Sequence, residues 1–185
     1  NSKVYTGVDR FNEAGLLCAD IINNSGYTFA NVPYRYLFSA DNNTNGAQTE
    51  FIFPIVSDGN AIRATGGGMS FILHASIGGS MDAATRGMDG GWQGIRTRKE
   101  FVSLFPDATA TADKRGTFYT EGQTLDITNV STFTNGYAVT KYINKKADGS
   151  AAQRNDIPDT DFPMFRLSDV YLMYAEATVR GASSG

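Results

Sequence analysis

The sequence predicts a mainly α chain in which scaffold helices bracket a large loop-rich insert carrying a few short β-strands. Three observations carry this reading. Phe11, Ala14, Cys18, Ile21 and Ile22 recur at helical spacing near one end. The stretch Phe162 to Ala177 near the other end is apolar almost all round, as in a helix that packs among other helices. Between them lie long segments rich in Gly, Ser, Asn and Asp. The expected organisation is one domain over 1–185. A scaffold helix lies in 1–26, the insert in 27–160 with a short helix near 97–105, and a second scaffold helix in 161–185.

The first helix is expected over 6–24. Thr6 reads as its N-cap, with Asp9 three residues on in an acidic capping box. Asn24-Ser25-Gly26 ends it, Gly26 being free to turn left-handed after the last turn. One amphipathic helix must pack on neighbours, as in a helical-repeat scaffold. Asp41 to Gly46 is a loop by composition, and Glu50 to Ile55 a short strand placed at an edge or bulge by Pro54. Residues 57–94 read as a long ordered loop with one helical turn or short strand near Phe71-Ile72-Leu73. Thr97-Arg98-Lys99-Glu100 reads as a capping box opening a short helix with Phe101, Leu104 and Phe105, ended by Pro106. Residues 116–120 and 137–143 favour strands, with Asn135-Gly136 a hairpin turn signal. Lys145 to Asp161 reads as a polar, solvated loop. In the closing helix, Arg166, Asp169, Glu176 and Arg180 would share one stripe.

Composition narrows the function. The chain has 185 residues, with 16 Lys and Arg against 19 Asp and Glu. Scattered basic residues and a mild negative charge exclude a nucleic-acid footprint. The single cysteine, Cys18, has no disulfide partner in the chain and sits on the apolar stripe of its helix as a small core residue. No run is long and apolar enough to span a membrane, and no signal peptide or lipidation cysteine opens the sequence.

Enzyme templates fail in turn. His74 is the one histidine, without the second His or Cys pair a zinc site needs, and no G-x-S-x-G elbow is present; it reads as structural. Gly66-Gly67-Gly68 lacks the Lys-Ser/Thr of a phosphate loop. Asp156, Asp159 and Asp161 cluster around Pro158, so a glycosidase pair is conceivable. Solvated loop carboxylates offer no raised pKa, and turn formation ranks first, a surface calcium site second and catalysis last. No catalytic residue, resident metal or cofactor is expected. Sugar rings pack on aromatic faces, and their hydroxyls need planar polar partners. Trp92, the one tryptophan, sits in Gly90-Gly91-Trp92-Gln93-Gly94, where small neighbours can leave its face open. Packing against helices, with the glycines letting the backbone approach, is its structural reading. Arg96, Tyr34 and Tyr36 are further ligand candidates, and Arg98 a weaker one.

Several segments together resemble the SusD/RagB family, glycan-binding lipoproteins of Bacteroidetes outer membranes. Phe165-Arg166-Leu167 through Ala177 resembles its F-R-L-x-[DE]-V-Y-L-x-Y-A-E-A run. Val4 to Ala14, Glu50 to Ile55, Gly90 to Arg96 with Leu104-Phe105, and Asp113-Lys114-Arg115 resemble further family segments in order. The resemblance implies a TPR-like helical scaffold and an internal or C-terminal fragment of a longer protein. It implies non-enzymatic capture of an oligosaccharide or other nutrient and its delivery to a SusC-like TonB-dependent transporter. It also implies an outer-membrane, surface-exposed location through a lipid anchor outside this fragment. Family members meet glycans through an aromatic platform on loops, which makes Trp92 the candidate here. The aromatic of a Y-G-G-like family segment has no counterpart in Ala64-Thr65-Gly66-Gly67, which argues against a starch-type platform. The alternatives are a glycoside hydrolase using the loop Asp pair, and a peptide-capturing or structural RagB-like member.

Overall fold

A computed structural model describes residues 10–62, 65 and 67–183. The expected Thr6 cap, Asp9 and the segment from Val4 lie outside the described residues, as do Ala64 and Gly66. The chain divides into two compact units. One comprises residues up to Asn31, Gln48–Pro54 and the chain from Pro163 onward; the other comprises Val32–Ala47 and Ile55–Phe162.

The first unit is built on two helices, α1 (Phe11–Asn24) and α4 (Leu167–Val179). They meet through small side chains. A Cβ on Gly15 would stand 3.3 Å from the Cβ of Ala182 and 3.9 Å from that of Ala177, so the backbone approaches closely there. Cys18 and Ala177 are buried in the same unit. Past the C-terminus of α1, Gly26 takes φ +82, the left-handed turn expected of it.

β1 (Phe51–Ile55) pairs with β5 (Phe162–Arg166) in a two-stranded sheet. The closing helix therefore starts later than the sequence suggests. Phe162 to Arg166 is strand, and Pro163 is the reason in part: it has no N–H to give a helix, and both strands of a two-stranded sheet are edges that tolerate proline. Arg166 is extended and stands at the N-cap, so it does not share a helical stripe with Asp169. Its backbone N–H donates to Asp169 Oδ2 at 2.7 Å. An arginine side chain carries no acceptor, so this cap is one-sided. The guanidinium instead pairs with Glu50 at 3.1 Å, both largely buried. At the far end, Arg180 pairs with Glu176 at 2.8 Å in the open. The helix is also less enclosed than its composition implies: Leu172 is 70% and Val179 88% exposed.

The second unit has little regular structure. Residues Gly68–Ala75 form α2, a full helix where the sequence suggested one helical turn or a short strand within a long loop. Met69, Leu73, Ile77 and Met88 form the core around it, flanked by Tyr142 and Phe162. β2 (Arg96–Thr97), β3 (Phe118–Tyr119) and β4 (Tyr137–Val139) make an antiparallel sheet in the order β2-β4-β3. Thr97 pairs with Tyr137 in that sheet, so the expected capping box does not form; α3 (Lys99–Val102) starts after Arg98 with no side-chain cap. Asn135-Gly136 turns the chain into β4 without closing a two-residue hairpin. Asn135 Oδ1 accepts from the Thr128 hydroxyl at 2.7 Å and the Asn129 N–H at 3.0 Å, so the residue closes a wider loop.

Buried polar side chains replace helix and sheet as the glue of this unit. Asn144 Nδ2 donates to the Gly87 and Arg154 carbonyls at 3.1 and 2.7 Å, and its Oδ1 accepts from the Asp159 N–H at 3.0 Å. Asn42 Nδ2 likewise donates to the Leu37 and Asp161 carbonyls, and its Oδ1 accepts from the Asp161 N–H. Loop backbone that cannot reach water must find such partners.

Candidate functional site

Trp92 is set by the end of α2. The last carbonyls of a helix lack intrahelical donors. Here the following loop supplies them: Trp92 N–H donates to His74 O at 2.7 Å, Gln93 N–H to Ile77 O at 3.1 Å, and the Gly94 and Ile95 N–H groups to Ala75 O at 2.8 and 2.7 Å. Such close approach demands glycine at 91, where a Cβ would fall 2.3 Å from Ile77 O. The indole then lies flat on His74, ring centroids 4.6 Å apart and planes 13° from parallel. His74 is buried and anchored, Nδ1 lying 2.9 Å from Ser70 O and Nε2 3.2 Å from Asp89 Oδ1. Phe71 stands at 6.4 Å, itself half exposed. Trp92 remains 46% exposed, so the ring is backed on one side and not enclosed. Chemically this is a rigid, open aromatic face beside a second ring.

The other candidates are distributed elsewhere in the unit. Arg96 is committed to the protein: Nε donates to Asn135 O at 2.9 Å, Nη2 to Val130 O at 2.7 Å, and the guanidinium lies 5.7 Å from the Phe133 ring centroid. Arg98 is exposed and pairs with Glu100 at 3.3 Å. Tyr34 and Tyr36 lie in a 3-10 turn over Tyr34–Phe38 and line a cavity that includes neither Trp92 nor Arg96. Nothing in the local sequence marks His74 as the underlay of Trp92. The only available signal was the run of glycines around the indole.

The loop aspartates correct the solvated picture. Asp159 and Asp161 are buried. Asp159 Oδ1 accepts from the Gly59 N–H and Gln153 Nε2, and Oδ2 from the Gln153 N–H. Asp161 Oδ1 accepts from the Ser57 N–H at 2.8 Å, and burial raises its pKa despite that bond. Asp156 pairs with Arg154, and the guanidinium hydrogen bond holds its carboxyl below the usual range. These carboxylates hold loops together. Among the described residues, no three His, Cys, Asp or Glu side chains are grouped to hold a metal ion.

A model of the SusD family matches residues 107–181. The starch-binding protein SusD of Bacteroides thetaiotaomicron is 27% identical over 97% of this chain. The chain is similar to the SusD family over residues 107–181. A SusD superfamily protein of Parabacteroides distasonis shares the fold with a TM-score of 0.63 at 21% identity, over 96% of this chain and 36% of that one. The chain spans about 40% of the length of the Bacteroides relative.

Proposed function

We propose that this chain is part of a non-enzymatic, cell-surface glycan-binding protein that passes an oligosaccharide to a SusC-like TonB-dependent transporter. The observation that carries the reading is the Trp92 ring, half exposed and stacked on His74. A sugar's C–H face packs on such a ring, and a ring already fixed loses little freedom when it binds. A relative that is a starch-binding protein supports a glycan as the ligand. Binding without turnover is favoured because both oxygens of Asp159 and Oδ1 of Asp161 accept from loop amides. The exposed apolar side chains of α1 and α4, Leu16, Leu17, Leu172 and Val179, suit a TPR-like scaffold in which further helices cover them. A lipid anchor would hold the full-length protein at the outer membrane.

Titration calorimetry of the full-length protein with malto-oligosaccharides and a panel of other oligosaccharides tests this. Binding without hydrolysis is expected, with Trp92→Ala weakening it about tenfold or more, as on truncating an aromatic anchor of a binding surface. A folded Trp92→Ala protein with unchanged affinity removes Trp92 from the site. Release of shorter sugars would overturn the non-enzymatic reading.

A further inference from the structure

The cavity lined by Tyr34 and Tyr36 has a volume of about 350 Å³. That volume is at the small end of ligand pockets. Its charge is one-sided. Arg35, Arg86, Lys141, Lys145 and Lys146 line it and no carboxylate does, in a chain whose acidic residues outnumber its basic ones.

Arg86 is the centre of the argument. Its Nη2 donates to the Thr140 carbonyl at 2.8 Å and to the Tyr142 carbonyl. Its Nε is buried without a partner, and Nη1 makes no hydrogen bond to the described protein. No carboxylate among the described residues neutralises it, and burial alone pulls its pKa down to about 10. Enclosing an uncompensated cation is costly unless an anion accompanies it.

The cations around it reinforce the same sign. Lys145 and Lys146 form no ion pair among the described residues. The Lys141 ammonium lies 4.3 Å from the Phe38 ring centroid. Asp41, close in sequence to the tyrosines, is spent elsewhere: its Oδ1 accepts from the Ser39 hydroxyl and the Ala147 N–H. Hydroxyls of Thr117 and Thr140 and the two tyrosine rings complete the wall.

We propose that this cavity is a subsite for the acidic group, carboxylate or sulfate ester, of a negatively charged saccharide. Cations and aromatic rings together suit a charged sugar: guanidinium and ammonium groups take the anion, and rings take the C–H face. The inference rests on the glycan-binding reading and narrows its ligand class.

The test is titration of the full-length protein with trigalacturonate, a sulfated trisaccharide, maltotriose and sodium sulfate alone, repeated on Lys145→Gln/Lys146→Gln. These two lysines offer only backbone groups to the protein's own hydrogen bonds, so the variant is expected to fold. At least one acidic trisaccharide should bind about tenfold or more tightly than maltotriose, and the double variant should erase that preference as charge-assisted contacts are lost. Preference for trigalacturonate or for the sulfated sugar identifies the group. Binding of maltotriose with no acidic preference overturns this inference and leaves the glycan reading standing. Failure of every saccharide overturns the glycan reading and this inference with it. Acidic preference unchanged in a folded double variant overturns the cavity assignment, as does binding of sulfate without either acidic sugar.

Discussion

The two units solve the same problem, burying backbone, by different means. The helical unit satisfies its amides within α1 and α4 and brings them together through Gly15, Ala177 and Ala182. The loop-rich unit satisfies them with side chains, chiefly Asn42, Asn144, Asp159 and Asp161. Function follows the second means. A helix face is held by many weak, interchangeable contacts, whereas a loop held by a few polar pins is fixed in shape. That fixity can present Trp92 as a rigid face on His74.

The comparison breaks first at Asn144. The residue is fully buried and meets three backbone groups. Asn144→Ala leaves all three unpaired, at ~1–3 kcal/mol for each orphaned group. A loss of about 3 kcal/mol or more lowers the melting temperature by ~6–12 °C for a chain of this size. Thermal denaturation followed by circular dichroism measures it. A change within the error of a surface substitution would mean the loops are held by something other than polar pins.

The helical unit offers a smaller effect and an internal control. Arg166 and Glu50 pair with 16% and 7% of their side chains exposed, whereas Arg180 and Glu176 pair with 55% and 62% exposed. Double-mutant cycles to Ala should give a coupling of ~1–3 kcal/mol for the first pair, since a partner left buried alone is penalised. The second should give ~0.3–0.5 kcal/mol, the usual value for an exposed i,i+4 pair. Chemical denaturation of the four variants of each cycle reads both. Equal couplings would mean that burial does not distinguish them.

The same contrast explains what the sequence made legible. The apolar period of Phe11 to Ile22 announces α1, because a helix writes its packing face into local spacing. It misplaces the start of α4, because Phe162-Pro163-Met164-Phe165 is as apolar as the helix that follows. What separates them is pairing with β1, more than 100 residues away. Asn42 reaches Asp161 across 119 positions, and no local pattern marks it as different from its solvated neighbour Asn43. Trp92 was legible as a candidate through its glycines. His74 beneath it was not, since stacking is a property of the folded loop. The charged cavity drew its cations from positions 35, 86, 141, 145 and 146, too scattered to read as a cluster.

The smallest effect sharpens what kind of pin matters. Asp107 does in the open what Asn144 does in the interior. Its Oδ2 accepts from the Ala112 N–H at 2.7 Å, and its Oδ1 from the Thr111 and Thr109 N–H groups and the Thr109 hydroxyl. The backbone bonds from Ala112 and Thr111, then the Thr109 contacts, hold its carboxyl far below the ordinary range. A depressed folded pKa means the loop's stabilisation is fully present above the unfolded value of about 4 and is lost only as pH falls through the lower folded value. The Ala112 amide proton, followed by NMR on acidification, should keep its hydrogen-bonded shift through pH 4 and move only well below it. Asp107→Ala should abolish that titration and lower the melting temperature at neutral pH by less than Asn144→Ala does, because water replaces the lost partner of an exposed amide. A midpoint near 4 would show a carboxylate that does not hold the loop. A large fall in melting temperature at neutral pH would erase the distinction between exposed pins, which shape a loop, and buried ones, which hold the unit together.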